Sequence, residues 1–492
     1  MSFKIAVIGA GSVGFTREIM YDVLSIPEFA DIKIAFTDTN ETNLDMAYKI
    51  VQRDIKHNGL KIEIQVTTNR QEAFKDAKYI FNFVRIGGLE MYEHDIDIPM
   101  KYGLDQCVGD TICAGGIMYG QRGVPAILEF CKDIKSVAAP GCIMFNYANP
   151  NSIITWACNK YGGVQTVGLC HGVQNGHIMI CEALGIPPED VDYSCVGINH
   201  QTWYTQVEHK GENLLSKILP ALQAHHEFSE DEKVRIDVMK RFGYLSTESN
   251  GHLSEYVPWY RKNPSKIVDW ISMAKWIHGE SGGYLRHCTE RNNWYETDFP
   301  MWLEQPPWVY KPHNAVEHVA HIIEGLEVGT YYRGHFNVIN NGAIKNLPDD
   351  AVVELPCFVS RLGIDVPIYG ELPLGCAAIC NQSISVQRMA MEAAVHGDVG
   401  LLKQAMMLDP LTGAVLYPDE IWQMTDEMLV ATANYLPQYK DAIKQAKKNL
   451  AANYIEPHGV QSGKTRKKVK SVDEIRADTD GQRTYFKAAH HN

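Results

Sequence analysis

An apolar run at residues 3–8 ends in Gly9-Ala10-Gly11-Ser12-Val13-Gly14 and passes directly into a segment of helical periodicity at residues 12–24. No other feature narrows the fold as far. A strand, a tight glycine turn and a helix form the entry to a dinucleotide-binding unit. The glycines let the main chain approach a pyrophosphate, and the helix N-terminus favours its charge. A second apolar segment, 32–37, ends at Asp38, 24 residues after Gly14. An acidic group at that place accepts hydrogen bonds from a ribose diol. Its neighbours Thr39 and Asn40 offer no cation for a 2′-phosphate. Cofactor contacts are therefore expected from Gly9, Gly11, Ser12, Val13, Gly14 and Asp38, with NAD favoured over NADP. The competing reading of these glycines is an ordinary turn in a sheet that binds nothing.

Apolar segments at 62–66, 79–84, 142–145 and 166–169 alternate with helical patterns at 40–56, 116–134, 152–160 and 174–184, the first of these capped by Asn40. Such alternation predicts an α/β fold with a Rossmann-like, doubly wound parallel sheet. Beyond residue 195 the pattern changes to mixed strands and long helices rich in Trp, Tyr and His, including a strand at 351–358 and helices at 383–396 and 399–407. The expectation is an α+β substrate domain behind the nucleotide domain, an architecture like that of lactate and malate dehydrogenases. A chain of 492 residues exceeds what one core usually supports. The predicted division is a nucleotide domain at 1–195, a substrate, metal and oligomerisation domain at 196–440, and a polar, helical or partly disordered tail at 441–492.

Charge and composition exclude several classes of function. A net charge of -13 disfavours nucleic acid, which needs clustered Lys and Arg. The one basic run, at 463–470, reads as a solvated face. No segment reaches the roughly 18 apolar residues of a membrane span, and the N-terminus has no signal-peptide pattern. A cytoplasmic location, no membrane partner and a homodimer or homotetramer are expected. The 12 cysteines are scattered without a CxxC pair, so they read as reduced, small and mostly buried. Cys376 and Cys380, one helical turn apart, read as structural.

Two residues stand out downstream. Cys170 follows the apolar segment 167–169, and His200 follows 195–198. A thiolate and a neutral imidazole suit a borderline divalent cation and leave open positions for a chelating substrate. Spacing alone favours a buried cysteine and a core histidine. Asn149-Pro150 follows a predicted strand at the edge where such sheets bind ligands. Its amide could reach a ribose or substrate hydroxyl, although Asn-Pro also marks plain turns.

Taken in order, these motifs resemble glycoside hydrolase family 4, the NAD- and divalent-metal-dependent glycosidases, and within it the alpha-galactosidase branch. The resemblance runs from about residue 4 to 437. It is carried by Gly9-Ala10-Gly11-Ser12, Gly109-Asp110-Thr111 with Gly115-Gly116-Ile117-Met118, Asn149-Pro150, Gly168-Leu169-Cys170-His171 and Gly197-Ile198-Asn199-His200. It continues through Phe242-Gly243-Tyr244, Thr247-Glu248-Ser249, Glu255-Tyr256, Asn346-Leu347-Pro348 and Met407-Leu408-Asp409-Pro410.

The resemblance implies hydrolysis of an unphosphorylated alpha-glycoside, alpha-galactosides first, by NAD-dependent oxidation at sugar C3. Elimination of the aglycone, addition of water and re-reduction follow. Tyr256 matches the family's base for the C2 proton. Cys170 and His200 match the ligands of Mn²⁺ or another divalent cation, and Asn149 would hold a sugar hydroxyl. The leaving-group acid is open between His171, which could also contact a hydroxyl, and Asp110. Phosphosugar relatives carry Asn or Asp where this chain has His171, which speaks against a phosphorylated substrate. Cys170-His171-Gly172 departs from the Cys-His-Ser usual in alpha-galactosidases and is similar to the alpha-glucosidase and alpha-glucuronidase or galacturonidase branches, which are the alternatives. A rival of another class is an NAD-dependent 2-hydroxy-acid dehydrogenase, which needs an arginine to clamp a carboxylate. Arg85, Arg122 and Arg286 are available for that role. A nucleotide sensor without chemistry is a third reading.

Overall fold

The computed structural model describes residues 2–272, 279–458, 463 and 465–477. The twelve strands belong to one sheet. Strands β1 (Lys4–Ile8), β2 (Lys33–Thr37), β3 (Gln65–Thr67), β4 (Tyr79–Asn82), β5 (Ile143–Asn146) and β6 (Thr166–Gly168) pair in parallel in the order β3-β2-β1-β4-β5-β6. This is the doubly wound order, and it places a ligand crevice beyond the carboxyl ends of the strands, where β1 and β4 diverge. Ile5, Ala6 and Val7 are fully buried, as expected of a central strand covered on both faces. Burying each of the two branched side chains is worth about 1.5–3 kcal/mol. Asn40 caps the helix Glu41–His57 as predicted, its side chain accepting the Asn43 N–H.

The sheet does not stop at β6. It continues through β10 (Tyr332–Ile339), β11 (Val352–Ser360), β7 (Asp192–Ile198), β8 (Gln201–His209) and β9 (Glu212–Asn213), all antiparallel, with β12 (Gly363–Asp365) paired to β11. One register row crosses the junction: Gly168 pairs with Asn337, Asn337 with Glu354, and Glu354 with Gly197. The segments that follow β6 and β7 are thereby brought to one side of the molecule, although 30 residues separate Cys170 from His200. One apolar core runs from Phe3 to Ile443, and a smaller one fills the lobe around helix Gly172–Leu184 and the β7–β8 hairpin.

Among the described residues, no helix is long and apolar enough to cross a membrane. All 12 cysteines are free, and all but Cys170 and Cys288 are buried, Cys376 and Cys380 included. The basic run is largely solvated, as expected, with Arg466, Lys468 and Lys470 exposed, but it is also tethered. Arg466 pairs with Asp97, Lys467 lies 3.0 Å from Glu280, and Thr465 is buried against Ser281. Carboxylates on the body of the protein hold this stretch down. Lys464 of the run and residues 478–492 of the tail lie outside the described residues. The tail begins with a helix, Lys440–Ala452, that buries Ile443 and Ala446.

Candidate active site

The glycine turn is built around its aspartate. Gly9 has φ 84°, and a Cβ there would stand 2.8 Å from the carbonyl carbon of Phe83. At Gly11 a Cβ would come within 2.7 Å of Asp38 Oδ2, the oxygen that accepts the Gly11 N–H at 2.8 Å. Asp38 Oδ1 accepts the N–H of Asn40. Ser12 makes no side-chain cap bond to the helix Val13–Leu24, which leaves the helix's first N–H groups uncapped by it, the groups a pyrophosphate would use. Gly9, Ser12 and Asp38 line a cavity of about 800 Å³. Val13 and Gly14 are buried in the first helical turn rather than on the cavity wall. Arg70, which the sequence reading did not weigh, lines the same cavity, but its guanidinium is engaged by Asp133 at 2.5 Å.

A second cavity, of about 600 Å³, gathers Asp110, Asn149, Cys170, His171, His200, Glu248 and His252 on its wall. Cys170 follows β6, and its Sγ accepts the Gly172 N–H at 3.4 Å. His200 occupies the turn between β7 and β8 at φ 64°, a left-handed conformation that is uncommon outside glycine and marks functional positions. Its Nδ1 is 3.0 Å from both Thr111 Oγ1 and Tyr256 Oη, and its Nε2 is 4.0 Å from Glu248 Oε1. Tyr256 ends the short helix Asn250–Tyr256 and shares a 2.7 Å hydrogen bond with His252 Nε2. His252 Nδ1 lies 2.5 Å from Glu248 Oε2. Cys170, His200 and Glu248 present ligand atoms that all lie within 4.8 Å of one another.

Glu255 is buried. Its carboxylate accepts the N–H groups of Cys107, Val108 and Gly109, which fixes the loop leading to Asp110 and Thr111. Asp110 Oδ2 accepts the Asn149 amide at 3.0 Å and Arg85 at 3.3 Å. His171 Nε2 meets Glu317 Oε1 at 2.5 Å, Glu317 also accepts the Tyr147 hydroxyl, and the Tyr147 ring stacks on His171. The backbone of Glu317 is itself held by Asp22 on the helix behind the glycine turn, through the N–H groups of Val316 and Glu317.

The charges follow from these contacts. Burial pushes the Glu248 carboxyl up, but His200, His252 and Arg235 outweigh it and hold it at about 2. Burial disfavours a charged His252, yet Glu248 raises it to about 9. His171 is likewise raised despite its burial, by Glu317. Asp110 is lowered, because Arg85 and the two histidines overcome the cost of burial. Burial lowers His200 and raises Cys170 and Tyr256. A neutral imidazole beside a thiol that only a cation would deprotonate fits the donor chemistry of a divalent ion.

The structure brings the predicted metal and acid residues Cys170, His200, His171 and Asp110 to this one wall, and buries the predicted base Tyr256 against His200 and His252. Glu248 and Thr111 stood in the motifs without a role, and His252 and Glu317 escaped the sequence reading. Glu248, His252 and Tyr256 are spaced by four, a pattern visible in the sequence. Glu317, 146 residues from His171, gives no local signal. Of the arginines of the dehydrogenase reading, Arg122 is committed to Asp95 and Arg286 to Glu280 and Glu290, whereas Arg85 stands at the site itself, paired with Asp110.

Two family models match the chain, the Family 4 glycosyl hydrolase model at residues 4–186 and the Family 4 glycosyl hydrolase C-terminal domain at residues 195–412. The chain is 53% identical over 483 residues to an alpha-galactosidase of Rhizobium meliloti, covering 97% of this chain and 98% of that one. It is 30% identical over 440 residues to an alpha-galactosidase of Bacillus subtilis, covering 89% and 100%. Among solved structures it is similar to a 6-phospho-alpha-glucosidase from gut microorganisms in complex with NAD and glucose-6-phosphate. That structure has a TM-score of 0.74 and 25% identity, with 89% of this chain and 99% of that one covered. A glycine turn for a dinucleotide, a thiol–imidazole pair and a tyrosine bonded to that imidazole, with the two models matching residues 4–186 and 195–412, make this chain a member of glycosyl hydrolase family 4.

Proposed function

We propose that the chain hydrolyses unphosphorylated alpha-galactosides with NAD and Mn²⁺ or a similar divalent cation. The observation that carries the reading is the meeting of Cys170 and His200 on one cavity wall, with Tyr256 hydrogen-bonded to His200. The 53% identity to an alpha-galactosidase supports the choice of sugar. When bound, the dinucleotide supplies reversible oxidation at sugar C3, and the cation polarises the neighbouring oxygens.

The chain's own groups do the rest. Asp38 accepts the ribose hydroxyls, and the N-terminus of helix Val13–Leu24 receives the pyrophosphate. Asn149, its amide oriented by Asp110, holds a sugar hydroxyl. Tyr256 takes the C2 proton through its phenolic oxygen, and His171, kept protonated by Glu317, gives a proton to the departing aglycone oxygen. Asp110 is held ionised by Arg85 and serves as an acceptor, so His171 is the better acid. Residues 1–195 thus supply the cofactor crevice and Cys170, and residues 196–440 supply His200 and Tyr256.

The cavity also bears on charge. Arg235 lines it, but its guanidinium is spent on the carbonyls of Ser246 and Thr247 and on Glu232. Glu182, Glu232 and Glu248 line the same space. A phosphate or a uronate would meet these carboxylates, which favours a neutral hexose over the hexuronide alternative. Assembly as a homodimer or homotetramer in the cytoplasm is part of the reading. Leu362, Ile368 and Leu374 are 96%, 75% and 82% exposed, an apolar stretch that an interface would cover.

The test is a panel of nitrophenyl alpha- and beta-glycosides, hexuronides and 6-phosphoglycosides with NAD⁺, Mn²⁺ and a thiol reductant. Turnover is expected on the alpha-galactoside. A preference for alpha-glucoside or hexuronide would move the substrate within the family. One NADH released per product would replace hydrolysis with dehydrogenation.

A further inference from the structure

The cavity wall holds a donor that this mechanism leaves unused, the Oε1 oxygen of Glu248. It faces His200 Nε2 at 4.0 Å and belongs to the cluster of ligand atoms completed by Cys170 Sγ. The other carboxylate oxygen is taken by His252 at 2.5 Å, which fixes the plane of the group and leaves Oε1 toward the cluster. His200 is turned the same way, because Thr111 and Tyr256 engage its Nδ1. The main chain makes room for this approach. A Cβ at Gly172 would stand 3.1 Å from Glu248 Oε1 and 3.7 Å from Cys170 Sγ, so the missing side chain opens the gap between thiol and carboxylate.

We propose that Glu248 Oε1 is a third protein ligand to the divalent cation held by Cys170 and His200, with His252 orienting its carboxylate. The proposal rests on the metal-centre reading above. Three protein donors with further positions open describe catalytic rather than closed structural sites. A sulfur, a nitrogen and a carboxylate oxygen together suit a borderline to hard ion better than the first two alone. A thiolate and a carboxylate also balance the charge of a dication in a site where Glu248 is only 8% exposed.

The test uses the full-length chain, stripped with a chelator and titrated with Co²⁺ and with Mn²⁺, as wild type, Glu248→Gln, Glu248→Asp, Cys170→Ser and Glu182→Gln. The thiolate-to-Co²⁺ absorption band reports Cys170, and water-proton relaxation reports the exchangeable waters on Mn²⁺. Glu248→Gln should keep the band at saturation, weaken both ions at least about tenfold, and add exchangeable water where the carboxylate was. Glu248→Asp, which keeps the charge but withdraws the oxygen, should fall between, and guards against misfolding of the first variant. Glu182, at the rim with its side chain 57% exposed, controls for charge alone, and its variant should stay within about twofold because exposed charge is screened. If Glu248→Gln and Glu248→Asp bind as wild type with unchanged water count while Cys170→Ser loses the band, Glu248 serves His252 only and the proposal falls. If wild type shows no band and Cys170→Ser binds equally well, the metal-centre reading itself is overturned.

Discussion

The nucleotide crevice and the cation wall open beyond the same edge of one sheet, yet they are made differently. The phosphate turn of the crevice is mostly main chain: two glycines without which Asp38 and the Phe83 carbonyl could not approach, and a helix end. The wall is mostly side chain, drawn from the segments around Asp110, Cys170, His200 and Glu248 to His252, with Tyr256 and Glu317 bonded to its histidines. Main-chain recognition spreads binding over many weak groups, so single changes degrade it gradually. A wall of single reacting atoms fails when one of them is removed.

Substitutions on the wall should therefore give the largest effects. Cys170→Ser is expected to reduce hydrolysis to background, since the transition-state stabilisation a cation supplies amounts to several kcal/mol, each 1.36 kcal/mol being tenfold in rate. Thermal unfolding checks that folding is retained, and activity near wild type with metal-stripped protein would break the comparison. Tyr256→Phe should lose about 10²- to 10⁴-fold in kcat while binding NAD and metal normally by calorimetry. In D₂O the wild type should place deuterium at C2 of the released sugar, read by proton NMR. An unlabelled C2 rejects proton abstraction there altogether.

The crevice should respond more gently. Asp38→Ala removes charged hydrogen-bond acceptors worth about 1.5–3 kcal/mol, so NAD affinity should fall about 10- to 100-fold with kcat recovered at saturating NAD. Loss of kcat at saturation would mean that the crevice also sets the chemistry. The smallest effect is expected at Glu317. Because His171 is raised by Glu317, its proton is kept to higher pH than on a free imidazole and lost as pH rises past its folded pKa. Glu317→Gln should move the alkaline fall in kcat to lower pH and slow poor leaving groups by about tenfold, with nitrophenyl substrates nearly spared. An unshifted alkaline limb would remove His171 from the acid role.

How much was legible in advance follows the same division. Strand, turn and helix from Lys4 to Leu24 and the capping Asn40 were readable because each depends on neighbours in sequence. Cys170 and His200 were visible as strand-end residues, but their meeting depends on a register row that joins β6 to β7 through β10 and β11. The spacing of Glu248, His252 and Tyr256 was present in the sequence and passed over, because acids and histidines at that interval also occur on ordinary solvated helices. The tethering of the basic stretch at 463–470 was not legible, because its partners Asp97 and Glu280 are remote in the chain.

The sequence by itself determined the alternation of strands and helices, the glycine turn with its aspartate, and the residue types able to bind a dinucleotide and a soft cation. Periodicity, turn stereochemistry and donor chemistry are properties of short segments, and they need no knowledge of what lies across the fold. Only the tertiary structure decided that Asp110 is an ionised acceptor, that Glu255 clamps the loop carrying it, and that Glu317 is the partner of His171. Each of these rests on a charge placed within hydrogen-bond reach by segments more than a hundred residues apart or by a shared buried environment. At such short range a displacement of one or two ångströms changes the protonation of a buried group, and local sequence carries no such distance.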